Sequence, residues 1–101
     1  MSKVYIVSAR GYKKAYYAEP VSTEKILKVF DDYHKAIVYI CDCIREDHKI
    51  VDNPNRTSTF WTKYEPKSDN FEEGMFIRSV AFDDNSSYED RSYRFRVYDV
   101  E

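Results

Sequence analysis

Residues 93–98 read Tyr-Arg-Phe-Arg-Val-Tyr. In an extended chain successive side chains point to opposite faces. Tyr93, Phe95 and Val97 therefore share one face, and Arg94, Arg96 and Tyr98 share the other. The first set suits a core. The second suits recognition, because Tyr and Arg dominate binding hot spots: a ring offers large area and a guanidinium a rigid fork of donors. The pattern has company, since ten Tyr, six Phe and one Trp bring aromatics to 17% of 101 residues. Trp61, Lys63 and Arg78 fall in two further strand-like stretches and are expected beside Arg94, Arg96 and Tyr98. Asp83, Asp84, Glu89 and Asp90 are expected in a loop, as a charged rim that steers association more than it supplies affinity.

Other chemistries fare less well. His34, Cys41 and His48 are spaced by seven residues, which on a helix separates neighbours by about 10 Å at 1.5 Å per residue. One zinc needs all its ligands within about 2.3 Å. Cys43 points nearly opposite to Cys41, so no metal or cofactor is expected. Cys41 and Cys43 read as reduced, partly buried thiols, because a disulfide across one intervening residue would be strained. No Ser, Cys or His lies in a nucleophile signature. Asp31-Asp32 is better explained as a helix cap than as an acid–base pair. With two glycines in the chain, a glycine-rich phosphate cradle is excluded. The protein is therefore expected to be non-enzymatic.

Composition sets the frame. The length suits a single domain, residues 1–101, able to bury a core. A net charge of -2 and an isoelectric point near 5.7 give no footprint for duplex nucleic acid. The longest apolar run, Ala36 to Cys41, is too short to span a bilayer. Met1-Ser2-Lys3 leads into a short strand rather than an apolar leader segment. These features lead to the expectation of a cytoplasmic protein without membrane contact.

The elements that would position the aromatic and cationic residues can be read in order. Val4-Tyr5-Ile6-Val7 is a strand. Ala9-Arg10-Gly11 reads as a turn with Gly11 at positive φ, and Lys13 to Ala18 as a second strand stopped by Pro20. Glu24 to Phe30 fits either a strand or the first turns of a long helix; Val29-Phe30 favours the strand. A helix over about 32–48 follows, with Asp31 or Asp32 as its cap. Tyr33, Ala36, Ile37, Ile40, Cys41 and Ile44 form its apolar stripe, and Lys35, Asp42, Arg45 and Glu46 point away. Asp52-Asn53-Pro54-Asn55 ends it. Three strands come next, over 59–64, 74–82 and 92–100, joined by polar loops at 66–74 and 83–91. The fold class is α+β: an N-terminal β-unit, one amphipathic helix, then a three-stranded antiparallel meander. The helix should cover one sheet face and leave the other partly in solvent. An edge strand such as Ser92 to Val100 is a candidate for pairing in a homodimer.

Three pieces carry a resemblance: the start Met1-Ser2-Lys3-Val4-Tyr5-Ile6-Val7-Ser8, the central strand, acidic cap and helix Val29-Phe30-Asp31-Asp32-Tyr33-His34-Lys35-Ala36-Ile37-Val38-Tyr39-Ile40, and the aromatic final strand. In outline the chain resembles small accessory and early-region proteins of bacteriophages and mobile elements, including those of the anti-defence, anti-CRISPR-like type. These pieces cover a minor part of the chain and specify no single family. The resemblance implies an inhibitor that disables a host or defence-system protein, such as a nuclease, by stoichiometric contact. Two alternatives use the same surface: a single-stranded nucleic-acid binder that stacks bases on aromatics beside arginines, and a sponge for a nucleotide ligand.

Overall fold

The computed structural model describes residues 2–53, 60–65 and 74–100. Its elements are β1 (Ser2–Ala15), β2 (Val21–Phe30), α1 (Tyr33–Val51), β3 (Trp61–Lys63), β4 (Met75–Asp83) and β5 (Ser87–Val100). The five strands form one sheet in the order β2-β1-β5-β4-β3, with every neighbouring pair antiparallel. This is the expected α+β class, with the N-terminal β-unit and the C-terminal meander fused edge to edge. Residues 24–30 are strand. Thr59 and residues 66–73 of the expected strand and loop lie outside the described residues, as do Pro54 and Asn55.

Alternation builds one wall of the core. Tyr5, Val7 and Ala9 of β1 stand opposite Val97, Phe95 and Tyr93 of β5, while Met75 and Ile77 of β4 stand opposite Phe95 and Tyr93. Helix α1 lays Ala36, Ile40 and Ile44 on this wall, and all three are buried. Its start is set by the Asp32 carboxylate, which accepts the His34 N–H at 2.8 Å and so satisfies a donor that the first turn leaves free. Lys35, Asp42, Arg45 and Glu46 are exposed as expected, but Cys43, rather than Cys41, packs against the core.

Three expectations are corrected. First, Ala9-Arg10-Gly11 is not a turn: β1 runs unbroken from Ser2 to Ala15. Gly11 has no positive φ. Its use is steric, since a Cβ there would sit 3.3 Å from Thr23 Oγ1 on β2. The chain reverses instead over residues 16–20, before β2. Second, residues 83–91 are not a loop. The reversal takes only Asp84 to Ser86, because the Asp84 carboxylate accepts the N–H groups of Ser86 and Ser87, both at 2.7 Å, and the Ser86 hydroxyl at 2.8 Å. A side chain that folds back on its own backbone replaces a long connection with a tight one. Glu89 and Asp90 are consequently strand residues of β5. Third, Ser92 to Val100 is not an edge, because β5 lies between β1 and β4.

Helix and sheet are joined by one buried polar node. Asp47, 6% exposed, lies on the sheet-facing side of α1. It accepts hydrogen bonds from Ser79 Oγ at 2.9 Å, Tyr93 OH at 2.6 Å and Arg91 Nη1 at 2.6 Å. Ser79 is free to reach it because a bulge between Arg78 and Val80 interrupts the β4–β5 register. The Ser79 carbonyl accepts the Tyr64 backbone N–H at 2.9 Å and lies 3.1 Å from His48 Nε2. No buried side-chain polar atom among the described residues lacks a partner.

Removing the carboxylate would strand these donors. Asp47→Ala is expected to cost about 3 kcal/mol, and Asp47→Asn about 1–2 kcal/mol because the shape and some bonds survive; urea unfolding followed by circular dichroism measures both. The node also sets an alkaline limit. Burial, then the hydrogen bond to Asp47, holds the Tyr93 phenol above its ordinary value, so the folded state keeps that proton more tightly than the unfolded chain does. The associated stability is full below pH ~10 and is lost as pH rises beyond it, at up to about 1.4 kcal/mol per pH unit. Unfolding free energies across that range should fall more steeply for the wild type than for Tyr93→Phe.

Candidate binding face

The side of the sheet away from α1 has no covering element among the described residues. Register places its side chains in rows. Val4 stands beside Tyr98; Val29, Ile6 and Arg96 form the next row; Ile26, Ser8, Arg94 and Phe76 the third; Glu24, Arg10, Ser92 and Arg78 the fourth. Tyr12 and Asp90 lie beyond them. Ile26 is 66% and Phe76 50% exposed, and Val29 and Tyr98 are exposed as well.

The arginines on this face differ from those elsewhere. Arg45 and Arg91 point away from it, and each is ion-paired, Arg45 with Asp42 at 3.0 Å and Arg91 with Asp47 at 2.6 Å. Among the described residues, Arg10, Arg78, Arg94 and Arg96 form no ion pair. Three of them lie over rings instead: Arg94 over Phe76 at 5.4 Å, Arg78 over Tyr64 at 5.3 Å and Arg10 over Tyr12 at 6.0 Å from guanidinium carbon to centroid. A ring attracts a guanidinium through its negative face and restricts where the cation rests. The neighbouring Tyr64 hydroxyl, and after it Tyr88 and Asp90, raise the pKa of Arg78 above its ordinary value. The two carboxylates beside these arginines are engaged locally: Glu24 accepts from Ser8 Oγ at 3.0 Å and Asp90 from Tyr88 OH at 2.9 Å. Between Arg10 and Arg78, over the buried Ser92, lies a groove of about 360 Å³ walled by Tyr12, Phe76 and Tyr88, with Asp90 at its margin.

Of the residues expected on this surface, Arg78, Arg94, Arg96 and Tyr98 share it, and Trp61 and Lys63 do not. The bulge at Ser79 is the reason. It reverses the phase of β4, so that Arg78 points to the open side while Val80 and Phe82 point to the helix side. Trp61 pairs with Phe82 and Lys63 with Val80. The Trp61 ring accordingly packs on Phe82 at 5.3 Å, and Lys63 Nζ binds both oxygens of Asp52, the helix C-cap, at 2.8 and 2.9 Å. The acids do not form one rim. Asp83 and Asp84 stand at the far end of the sheet, Glu89 faces the helix side and approaches Lys13 at 3.8 Å, and Asp90 lies on the open face.

The chain matches no protein-family model, no curated protein and no solved structure. Its site therefore rests on geometry. No helix among the described residues is long and apolar enough to cross a membrane, and no three His, Cys, Asp or Glu residues among them are grouped as a metal would require.

Several members of the face were missed in the sequence. Arg10 follows Ile6 and Ser8 at period two, which reveals it once β1 is continuous. The expected second strand over Lys13 to Ala18 is not separate from the first and ends at Ala15, so Tyr16 and Tyr17 belong to the turn that follows. They pack edge to face at 4.8 Å in the β1–β2 turn, with Tyr17 96% exposed. The Tyr16 N–H donates to the Ser86 carbonyl at 2.8 Å, tying this turn to the β4–β5 turn.

The two classes of arginine should separate in stability measurements. Arg78→Ala and Arg94→Ala each lose an exposed ring contact and should cost under about 1 kcal/mol. Arg91→Ala removes a donor from buried Asp47, and although the Arg91 side chain is 48% exposed, it should cost about 2 kcal/mol. Chemical denaturation of the three variants tests the distinction.

Proposed function

We propose that this chain is a non-enzymatic binding protein that inhibits a host or defence-system protein by stoichiometric contact, as its sequence resemblance suggests, and that the open sheet face is the contact surface. One observation carries the reading: exposed apolar side chains and arginines without ion pairs occupy the same uncovered face. Interfaces are built from that mixture, with aromatic and arginine anchors at the centre. The size also fits. Four strands of ten residues present roughly 19 by 33 Å of sheet, about 600 Å² before side-chain relief, against about 800 Å² per partner in a standard interface.

A single-stranded nucleic-acid reading draws on the same combination of rings and arginines. Against it, the faces of Phe76, Tyr64 and Tyr12 are occupied by guanidiniums, and Ile26 and Val29 offer nothing to a phosphate backbone.

The test is capture of partners from bacterial lysate by the tagged protein, with and without nuclease treatment, identified by mass spectrometry. A single stoichiometric protein is expected to survive nuclease. Arg94→Glu with Arg96→Glu should weaken its capture at least about tenfold, since like-charge juxtaposition costs several kcal/mol, while leaving the fold intact. Partners that all vanish on nuclease treatment would transfer the face to nucleic acid. Unchanged capture by the charge-reversed variant would remove those residues from the interface.

A further inference from the structure

We infer that the partner surface recognised by this face is acidic, and that the Arg10–Ser92–Arg78 groove seats a carboxylate side chain of a protein. The inference rests on the open face being the docking surface, and it names the chemistry that the face selects.

Charge is the first argument. The chain as a whole carries -2, yet Arg10, Arg78, Arg94 and Arg96 gather on one face; Asp83, opposite Tyr88, lies on that side at its far end, and Glu24 and Asp90 are the two counter-charges beside the arginines. Both carboxylates accept hydroxyl hydrogen bonds from neighbours on the same face, and neither lies within ion-pair distance of an arginine. Elsewhere among the described residues, Arg45 and Arg91 each hold an acid. The cationic excess is thus local.

Preorganisation is the second. A guanidinium lying over a ring has lost much of its rotamer freedom before any partner arrives, so less is lost on binding. Apart from Arg10 Nε, which donates to Ser22 Oγ, the N–H edges of these arginines hold no carboxylate among the described residues. Those edges match a carboxylate as two parallel hydrogen bonds. Arg10 and Arg78 stand on opposite sides of Ser92 in one row, and the groove between them measures about 360 Å³, room for a side chain rather than a macrocycle. Arg10 Nε is already fixed by Ser22 Oγ at 3.2 Å.

The third argument is the apolar margin. Ile6, Ile26 and Val29 adjoin the arginine rows on one side and Phe76 on the other. An acidic segment carrying aliphatic residues matches both zones.

The test is a backbone and arginine-Nε NMR titration of the purified protein with four probes: a short peptide alternating Glu and Leu, its Lys–Leu counterpart, single-stranded oligothymidine and inorganic phosphate. The acidic peptide is expected to shift Arg10, Arg78, Ser92 and Arg94 selectively, and to weaken at least about tenfold in Arg10→Gln/Arg78→Gln, each tenfold being one decade in Kd. Rising salt should weaken it too, as screening requires. The spectrum of the double variant reports that its fold is retained. Absence of shifts with the acidic peptide, a stronger response to oligothymidine, or a full response to phosphate alone would overturn the inference. Capture of the cellular partner separates this failure from that of the docking face. Capture lost in Ile26→Ser/Phe76→Ala but unchanged in Arg10→Gln/Arg78→Gln would keep the docking face and overturn the acidic partner. Capture unchanged in both would overturn the two together.

Discussion

A carboxylate buried beneath a helix has to be met by donors, and Asp47 is met by three from two different strands. Replacing such a node with apolar residues would often be as stable, so its value here is positional. Leucine-like side chains on α1 can slide over Tyr5, Val7 and Phe95 with modest loss. A carboxylate that needs Ser79, Arg91 and Tyr93 at once cannot. The helix is held at one place and one angle on the sheet, and the side it covers is decided by the same contacts.

The bulge at Ser79 serves that node and has a second effect. By adding one residue to β4 it brings the Ser79 hydroxyl under the helix, and it reverses which side the following residues face. Phe82 and Trp61 go to the helix side, where their rings meet, and Lys63 closes onto the helix C-cap. Arg78 and Phe76, on the near side of the bulge, stay open to solvent. A single irregularity therefore sorts the meander into a structural half and a recognition half.

Much of this fold was legible because its signals are periodic. The helix follows from the 3.6-residue stripe and its cap, and the recognition set Arg94, Arg96 and Tyr98 from strict alternation in β5. What was not legible is aperiodic. A bulge leaves no mark in a hydrophobicity pattern, so Trp61 and Lys63 were assigned to a face that the extra residue at Ser79 denies them. Gly11 reads as a turn because its common use is positive φ, whereas here it makes room for Thr23. The Asp- and Ser-rich stretch 83–91 reads as loop because composition does not reveal that one carboxylate can close the reversal in three residues. Asp47 itself did leave a trace. It stands three residues after Ile44 and seven after Ile40, on the buried stripe, where an acid demands partners.

The longest ladder in the sheet joins its most distant strands: Ser2 pairs with Val100 and Ala15 with Ser87. The β1–β2 hairpin and α1 can form early from local contacts, but the wall on which α1 rests is half made of β5. Closing a loop over nearly the whole described chain has to precede most of the burial that rewards it. Such non-local pairing slows folding, and until β5 docks, the wall beneath α1 lacks Tyr93, Phe95 and Val97. The β4–β5 hairpin is as local as β1–β2, so the demanding step is the joining of the two halves, and the β1–β5 ladder is what unites them in one sheet.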